Sequence, residues 1–200
     1  MFLPAGTLHY WNAWLFVAVL FVPMIFLGIV MLFKSPRLLE KRLDAKEKVK
    51  EQKWVVALSG IMFVAAFVVA GLNFRFSWHS LPDYVIWIGA SVFLLSYLIY
   101  AEVMRENAFL SRTIEIQESQ KVIDTGLYGI VRHPMYSDTL IMFLSIPLIL
   151  GSIVSFVIML AYIPIIYVRM NNEEKILEEG LKGYRDYKQK VRYRVIPFVW

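Results

Sequence analysis

The sequence predicts an all-α integral membrane protein. It has five transmembrane helices, the last two a helical hairpin, and a helical C-terminal segment on the basic side of the membrane. Three observations carry this. Hydrophobic residues make up 58% of the chain and charged residues 18%, against about 45–50% and about 25% in soluble domains. The apolar residues gather in long runs without charge, the first covering the 23 residues 11–33, where about 20 suffice to cross a hydrocarbon core. All but one of the 21 Lys and Arg residues fall on one side of the bilayer in this arrangement, as the positive-inside rule requires.

The elements follow in order, within one domain over 1–200. Residues 11–33 form the first span, with Pro23 as an expected kink and Tyr10, Trp11 and Trp14 as an interfacial belt. No basic start or small-residue cleavage site precedes it, so it reads as a retained helix rather than a signal peptide. Residues 34–53 carry eight Lys/Arg and four Asp/Glu. Ser35-Pro36 is a stop and restart, and 38–53 reads as a surface helix on anionic headgroups. The second span is 54–72, where Gly60 and Gly71 are small residues of the kind that let helices approach closely in lipid. A short loop over 73–83 precedes the third span, 84–106.

The 30-residue apolar run 139–168 decides the topology. As one straight helix it would be about 45 Å long, which overshoots a core of about 30 Å. It would also put the eight basic residues of the C-terminal segment on the wrong side. Broken at Gly151-Ser152 it becomes two spans, 135–150 and 153–172, with both outer ends on one side. The N-terminus is then outside and the C-terminus cytosolic. The fold-back brings Arg132-His133-Pro134-Met135-Tyr136 beside Arg169, Glu173 and Glu174.

These two clusters carry the chemistry. Cysteine is absent, which excludes disulfides, thiolate metal sites and cysteine nucleophiles. Of three histidines, His9 and His79 belong on the face opposite His133, so no metal site is expected. Arg132-His133-Pro134 reads either as a helix start with Pro in the first turn or as a binding motif. Gly126 and Gly129 around Leu127-Tyr128 read as a turn or a cradle; neither the dinucleotide fingerprint nor the phosphate-binding loop is present. Arg169 and Glu173 are one helical turn apart and can pair. Arg169 also ends the charge-free run and is a candidate anion site. Glu173-Glu174-Lys175 alone would be an ordinary solvated face. The +5 net charge follows the sides of the membrane, so no nucleic-acid partner is expected.

Tyr128-x4-His133-Pro134-x-Tyr136, the apolar hairpin, Arg169-x3-Glu173-Glu174 and Tyr184-x2-Tyr187 together resemble the isoprenylcysteine carboxyl methyltransferase family, in its small prokaryotic form. That family is similar in turn to the membrane phospholipid methyltransferases. The likeness runs from Asn107 to the C-terminus. It implies a membrane enzyme using S-adenosyl-L-methionine and releasing S-adenosyl-L-homocysteine, with the C-terminal helical segment covering the cofactor site (117–136 and 169–197). It implies cofactor contacts at Gln117, Gln120, Lys121, Val122, Ile123, Tyr128, His133, Pro134, Met135, Tyr136 and Glu173. Arg169 is the residue it directs at the substrate carboxylate. Gln120 stands where members commonly have His.

The resemblance implies a lipid bilayer setting, the cell membrane or endoplasmic reticulum, and a lipophilic carboxylate such as prenylcysteine entering from the membrane. A sulfonium suits an aromatic face, and Glu173 suits hydroxyl or amino donors. The cofactor carboxylate would meet His133 or backbone N–H groups. A carboxylate nucleophile is already ionised at neutral pH and needs no general base. The rival expectations are amine methylation of a phospholipid headgroup, which does need one, and a non-enzymatic membrane scaffold.

Overall fold

The computed structural model describes residues 1–43, 50–111 and 116–200. The expected surface helix over 38–53 lies partly outside the described residues. A short turn α1 (Phe2–Ala5) precedes α2 (Trp11–Lys34) and α3 (Pro36–Leu43). Pro36 restarts the helix directly after Ser35, because its fixed φ suits a first helical position and its missing N–H costs nothing there. Next come α4 (Lys50–Phe76), α5 (Asp83–Glu106), a 3-10 turn (Gly126–Gly129), α6 (Pro134–Ile149), α7 (Ile153–Met159), α8 (Tyr162–Gly180) and α9 (Tyr184–Lys190).

Among the described residues, four helices are long and apolar enough to cross a membrane: Trp11–Lys34, Gln52–Phe76, Asp83–Glu106 and Ile153–Gly180. Pro134–Ile149 is apolar but only 16 residues long. The outward faces agree with a lipid solvent. Phe26, Phe33, Ile61, Val64, Leu95 and Leu98 are more than half exposed, an apolar surface far beyond the patch sizes of soluble monomers. The chain is a helical membrane protein.

Among the described residues, the two largest of four apolar clusters join the long helices. Ala13 and Phe16 of α2, Ala70 of α4, Ala90 and Phe93 of α5, and Ile146 and Ile149 of α6 form one. Met62 and Ala66 of α4, Leu140 of α6, and Met159, Tyr162 and Ile166 beyond it form the other. Small residues set the closest approach, but not where the sequence places them. A Cβ on Gly89 would stand 2.9 Å from the Leu148 Cβ, so α5 and α6 are in backbone contact there. Gly60 has open space around it, and Gly71 accommodates the Met1 carbonyl rather than a neighbouring span.

The chain reverses at Leu150-Gly151-Ser152. Gly151 supplies a φ of 72°, which a residue with a side chain adopts only at a cost. Ser152 caps α7 by accepting the Ser155 N–H at 3.2 Å. The Tyr10 hydroxyl donates to the Leu150 carbonyl at 2.5 Å and pins the turn to the start of α2. Beyond it, the Tyr162 hydroxyl donates to Thr139 Oγ1 at 2.9 Å, and Arg169 Nε donates to the Tyr136 hydroxyl at 3.0 Å. Partners fall on α6 as positions rise on α8, so the two helices run antiparallel. The helix expected over 153–172 is broken at Leu160-Ala161. Pro164 explains it: its ring excludes the carbonyl of Leu160 four residues back and it offers no N–H.

Candidate functional site

The site is built where α6 begins and the second half of α8 ends. A cavity of about 520 Å³ opens there, within the size range of cofactor pockets. One end is polar and holds Tyr128, His133, Tyr136, Arg169 and Glu173. The other is apolar and reaches Val55, Phe63, Phe143 and Ile166 between α4, α6 and α8.

The 3-10 turn Gly126–Gly129 forms one wall. Glu106, the last residue of α5, accepts the Leu127 N–H through Oε2 at 2.9 Å. Gly126 has a φ of 52°, and a Cβ on it would fall 1.3 Å from that carboxylate. Glycine is required there twice, for its backbone and for the space. The turn presents Tyr128, whose hydroxyl accepts Asn107 Nδ2–H at 2.9 Å and whose carbonyl accepts the Tyr187 hydroxyl at 2.7 Å. Burial holds the phenol protons of Tyr184 and Tyr187 well above the ordinary tyrosine range. Asp124 at the rim is held below its usual range by its hydrogen bond from Lys190.

A second wall is a relay of three side chains. The Tyr136 hydroxyl donates to Glu173 Oε2 at 2.5 Å and accepts Arg169 Nε–H. The three are therefore one charge-neutral unit fixed across the α6–α8 contact. Arg169 Nη1 also reaches Gln52 Oε1 on α4 at 3.5 Å.

The third part is a hub beneath the cavity. Glu174 is 2% exposed, so the solvated face expected for Glu173-Glu174-Lys175 is wrong at this residue. Its Oε1 accepts Arg132 Nε–H at 2.8 Å and lies 3.1 Å from His133 Nε2. Its Oε2 meets Arg194 at 3.2 Å and Lys188 at 3.1 Å. Lys188 also pairs with Glu178, the larger cause of its raised pKa. Arg132 Nη1 donates to the Val191 and Arg192 carbonyls. The backbone N–H groups of Arg132 and His133 donate to the Tyr193 and Arg194 carbonyls at 2.9 and 2.8 Å. The C-terminal strap 191–195 is thus hydrogen-bonded along the Arg132-His133 pair. Pro134 is the first helical residue and His133 the N-cap, without a capping side-chain bond. The motif is both a helix start and a source of cavity groups, because the imidazole turns away from its own helix.

Eleven of the twelve residues singled out from the sequence line the cavity: Gln120, Lys121, Val122, Ile123, Tyr128, His133, Pro134, Met135, Tyr136, Arg169 and Glu173. Gln117 does not. Its amide donates to the Phe109 carbonyl at 2.6 Å, and its backbone N–H goes to Gln120 Oε1 at 2.8 Å, so it braces the loop behind Gln120. Sequence reasoning missed Asn107, Glu106 and the α4 wall. The first two lie at the polar end of the third span, where no motif sets them apart, and the α4 wall is ordinary span sequence. Among the described residues no three His, Asp or Glu side chains form a metal-ligand group.

The donor set fits S-adenosylmethionine. Glu173 offers a half-buried carboxylate to hydroxyl or amino donors, the Tyr128 and Tyr136 rings offer faces to a sulfonium, and Ile123, Leu177 and Leu181 offer apolar wall. Comparison with known proteins gives two further findings. Residues 84–182, 99 of the 200, match the family described as phospholipid methyltransferase. A 91-residue stretch is 30% identical to the Delta(14)-sterol reductase TM7SF2 of Mus musculus, covering 44% of this chain and 22% of that protein. The chain thus spans about a fifth of the length of this curated relative.

Proposed function

We propose that this protein is an S-adenosylmethionine-dependent methyltransferase that esterifies the carboxylate of a lipophilic acceptor such as prenylcysteine. The observation that carries the reading is the two-ended cavity: polar groups suited to the cofactor at one end, continuous with an apolar channel between α4, α6 and α8 at the other. The family match over 84–182 supports methyl transfer as the reaction class. In this reading the chain crosses the bilayer five times, with α6 and α7–α8 as the returning pair. The N-terminus is outside and the C-terminal strap cytosolic.

When bound, the cofactor supplies an electrophilic methyl group on a sulfonium. The protein's own residues bind, orient and exclude water. Arg169 lines the cavity with its Nε–H donated to Tyr136, which orients the guanidinium toward an acceptor carboxylate. Tyr136 ties that guanidinium to Glu173, so the groups assigned to acceptor and donor share one rigid frame. Rigid placement of two reactants can supply about 7–11 kcal/mol of barrier lowering. No proton has to be removed from a carboxylate at neutral pH.

A second reading, amine methylation of a phospholipid headgroup, is favoured by the description of the matched family. Its acceptor is an ammonium with a reference pKa of about 10.4 and must lose a proton, which gives Glu173 or His133 a task as base. The test supplies methyl-labelled S-adenosylmethionine with prenylcysteine, fatty-acid and phosphatidylethanolamine acceptors to protein in detergent. Label that base releases as methanol marks an ester and supports carboxyl transfer; label stable to base and carried on the headgroup replaces it with the second reading. Absence of cofactor binding by calorimetry removes both and leaves a scaffold.

A further inference from the structure

Glu174 itself is assigned no contact with cofactor or substrate, yet it is among the most enclosed side chains of the described residues. Three cations surround it: Arg132 on Oε1, and Arg194 and Lys188 on Oε2. A carboxylate so surrounded is ionised, and an ionised carboxylate only accepts hydrogen bonds. His133 Nε2 lies 3.1 Å from Oε1. Two acceptors at that distance would repel, so the hydrogen resides on Nε2. In the neutral ring Nδ1 then carries a lone pair. His133 lines the cavity, and its Nδ1 makes no hydrogen bond among the described residues.

We infer that Glu174 is a positioning residue that locks His133 as the Nε2–H tautomer, so that Nδ1 offers the cavity an acceptor for an alkylammonium group. This revises the sequence-based role of His133. An imidazole whose only N–H is turned toward Glu174 cannot donate to the cofactor's carboxylate. It can accept from an ammonium. Stacking on Tyr136, with ring centroids 5.5 Å apart, fixes the ring's second degree of freedom. The inference rests on the methyl-transfer reading only for the source of the ammonium: the amino-acid end of the cofactor, or an amine acceptor. The tautomer itself is a property of the protein alone.

The test begins with the full chain in detergent carrying His9→Gln and His79→Gln, which leaves His133 as the single imidazole. Nitrogen-15 NMR is expected to show Nε2 protonated and Nδ1 bare; a ring protonated at Nδ1 overturns the inference without any change at Glu174. Binding then identifies the ammonium. S-adenosylhomocysteine carries the amino-acid end and 5′-methylthioadenosine lacks it. If the cofactor is the source, His133→Ala and Glu174→Gln each weaken the first by about tenfold or more, the loss of one charge-assisted hydrogen bond, and leave the second unchanged. If an amine acceptor is the source, both ligands bind as before and KM for phosphatidylethanolamine rises. Equal loss of both ligands, or no change in binding and KM, overturns the positioning role. Should Glu174→Gln not fold, the NMR measurement and His133→Ala still decide. Should S-adenosylhomocysteine not bind the unaltered protein, the methyl-transfer reading falls while the tautomer measurement stands.

Discussion

Gly126→Ala, taken together with Glu106→Ala, tests how the cavity wall is held. The alanine methyl would fall 1.3 Å from the Glu106 carboxylate, so Glu106 must leave. Its departure forfeits the 2.9 Å bond from the Leu127 N–H, a hydrogen bond to a charged acceptor worth about 1.5–3 kcal/mol. Glu106 is half-buried, which favours the lower end. A φ of 52° costs a non-glycine residue about 1–2 kcal/mol more. Gly126→Ala alone should therefore cost about 2.5–5 kcal/mol, and Glu106→Ala alone about 1.5–3. The double variant should cost no more than Gly126→Ala, because the bond that Glu106→Ala removes is already gone. Unfolding of the four proteins in detergent gives the cycle. Tyr128 sits two residues on, so S-adenosylhomocysteine affinity should follow the same non-additive pattern. Additive penalties in both measurements would refute the account of this turn.

The other predictions concern the relay, a buried acid and alkaline pH. Glu173→Ala should weaken S-adenosylhomocysteine binding by about tenfold or more, whereas Arg169→Ala should mainly lower kcat; Tyr136→Phe should do both, since its hydroxyl joins them. Calorimetry and steady-state rates separate the three. Asp138 is fully buried on α6 with neither carboxylate oxygen bonded, so Asp138→Leu should raise stability by about 1–3 kcal/mol; a fall in Tm contradicts this. Tyr184 and Tyr187 hold their protons above the ordinary value of about 10. Their neutral forms therefore stabilise the fold fully below pH 10, and that contribution is lost as pH rises above it. Thermal unfolding from pH 8 to 11 should show the decline, and Tyr184→Phe with Tyr187→Phe should flatten it.

The long spans were legible because a charge-free run is a one-dimensional signal that needs no partner. Helix ends at Lys34 and Glu106 fall within a residue of the sequence boundaries for the same reason. The break before Tyr162 was written in Pro164, whose effect falls four residues back from the ring, and it was overlooked beside the louder Gly151-Ser152. The polar cavity wall was legible as a motif, since eleven named residues converge on it. Gln117 did not converge because its amide finds the Phe109 carbonyl first.

Glu173 and Glu174 show where sequence reasoning stops. They are adjacent, chemically identical and about 100° apart on one helix. One accepts the Tyr136 hydroxyl in the cavity wall; the other is enclosed with Arg132, His133, Lys188 and Arg194. Nothing local distinguishes them, because the difference lies in partners that arrive from α6, α9 and the C-terminal strap. Periodicity could only assign the pair to a solvated face. Burying a carboxylate becomes tolerable once several donors surround it, and here the donors come from elements up to 42 residues away in sequence. The fold therefore decides which glutamate meets the cavity and which one orients the group that does.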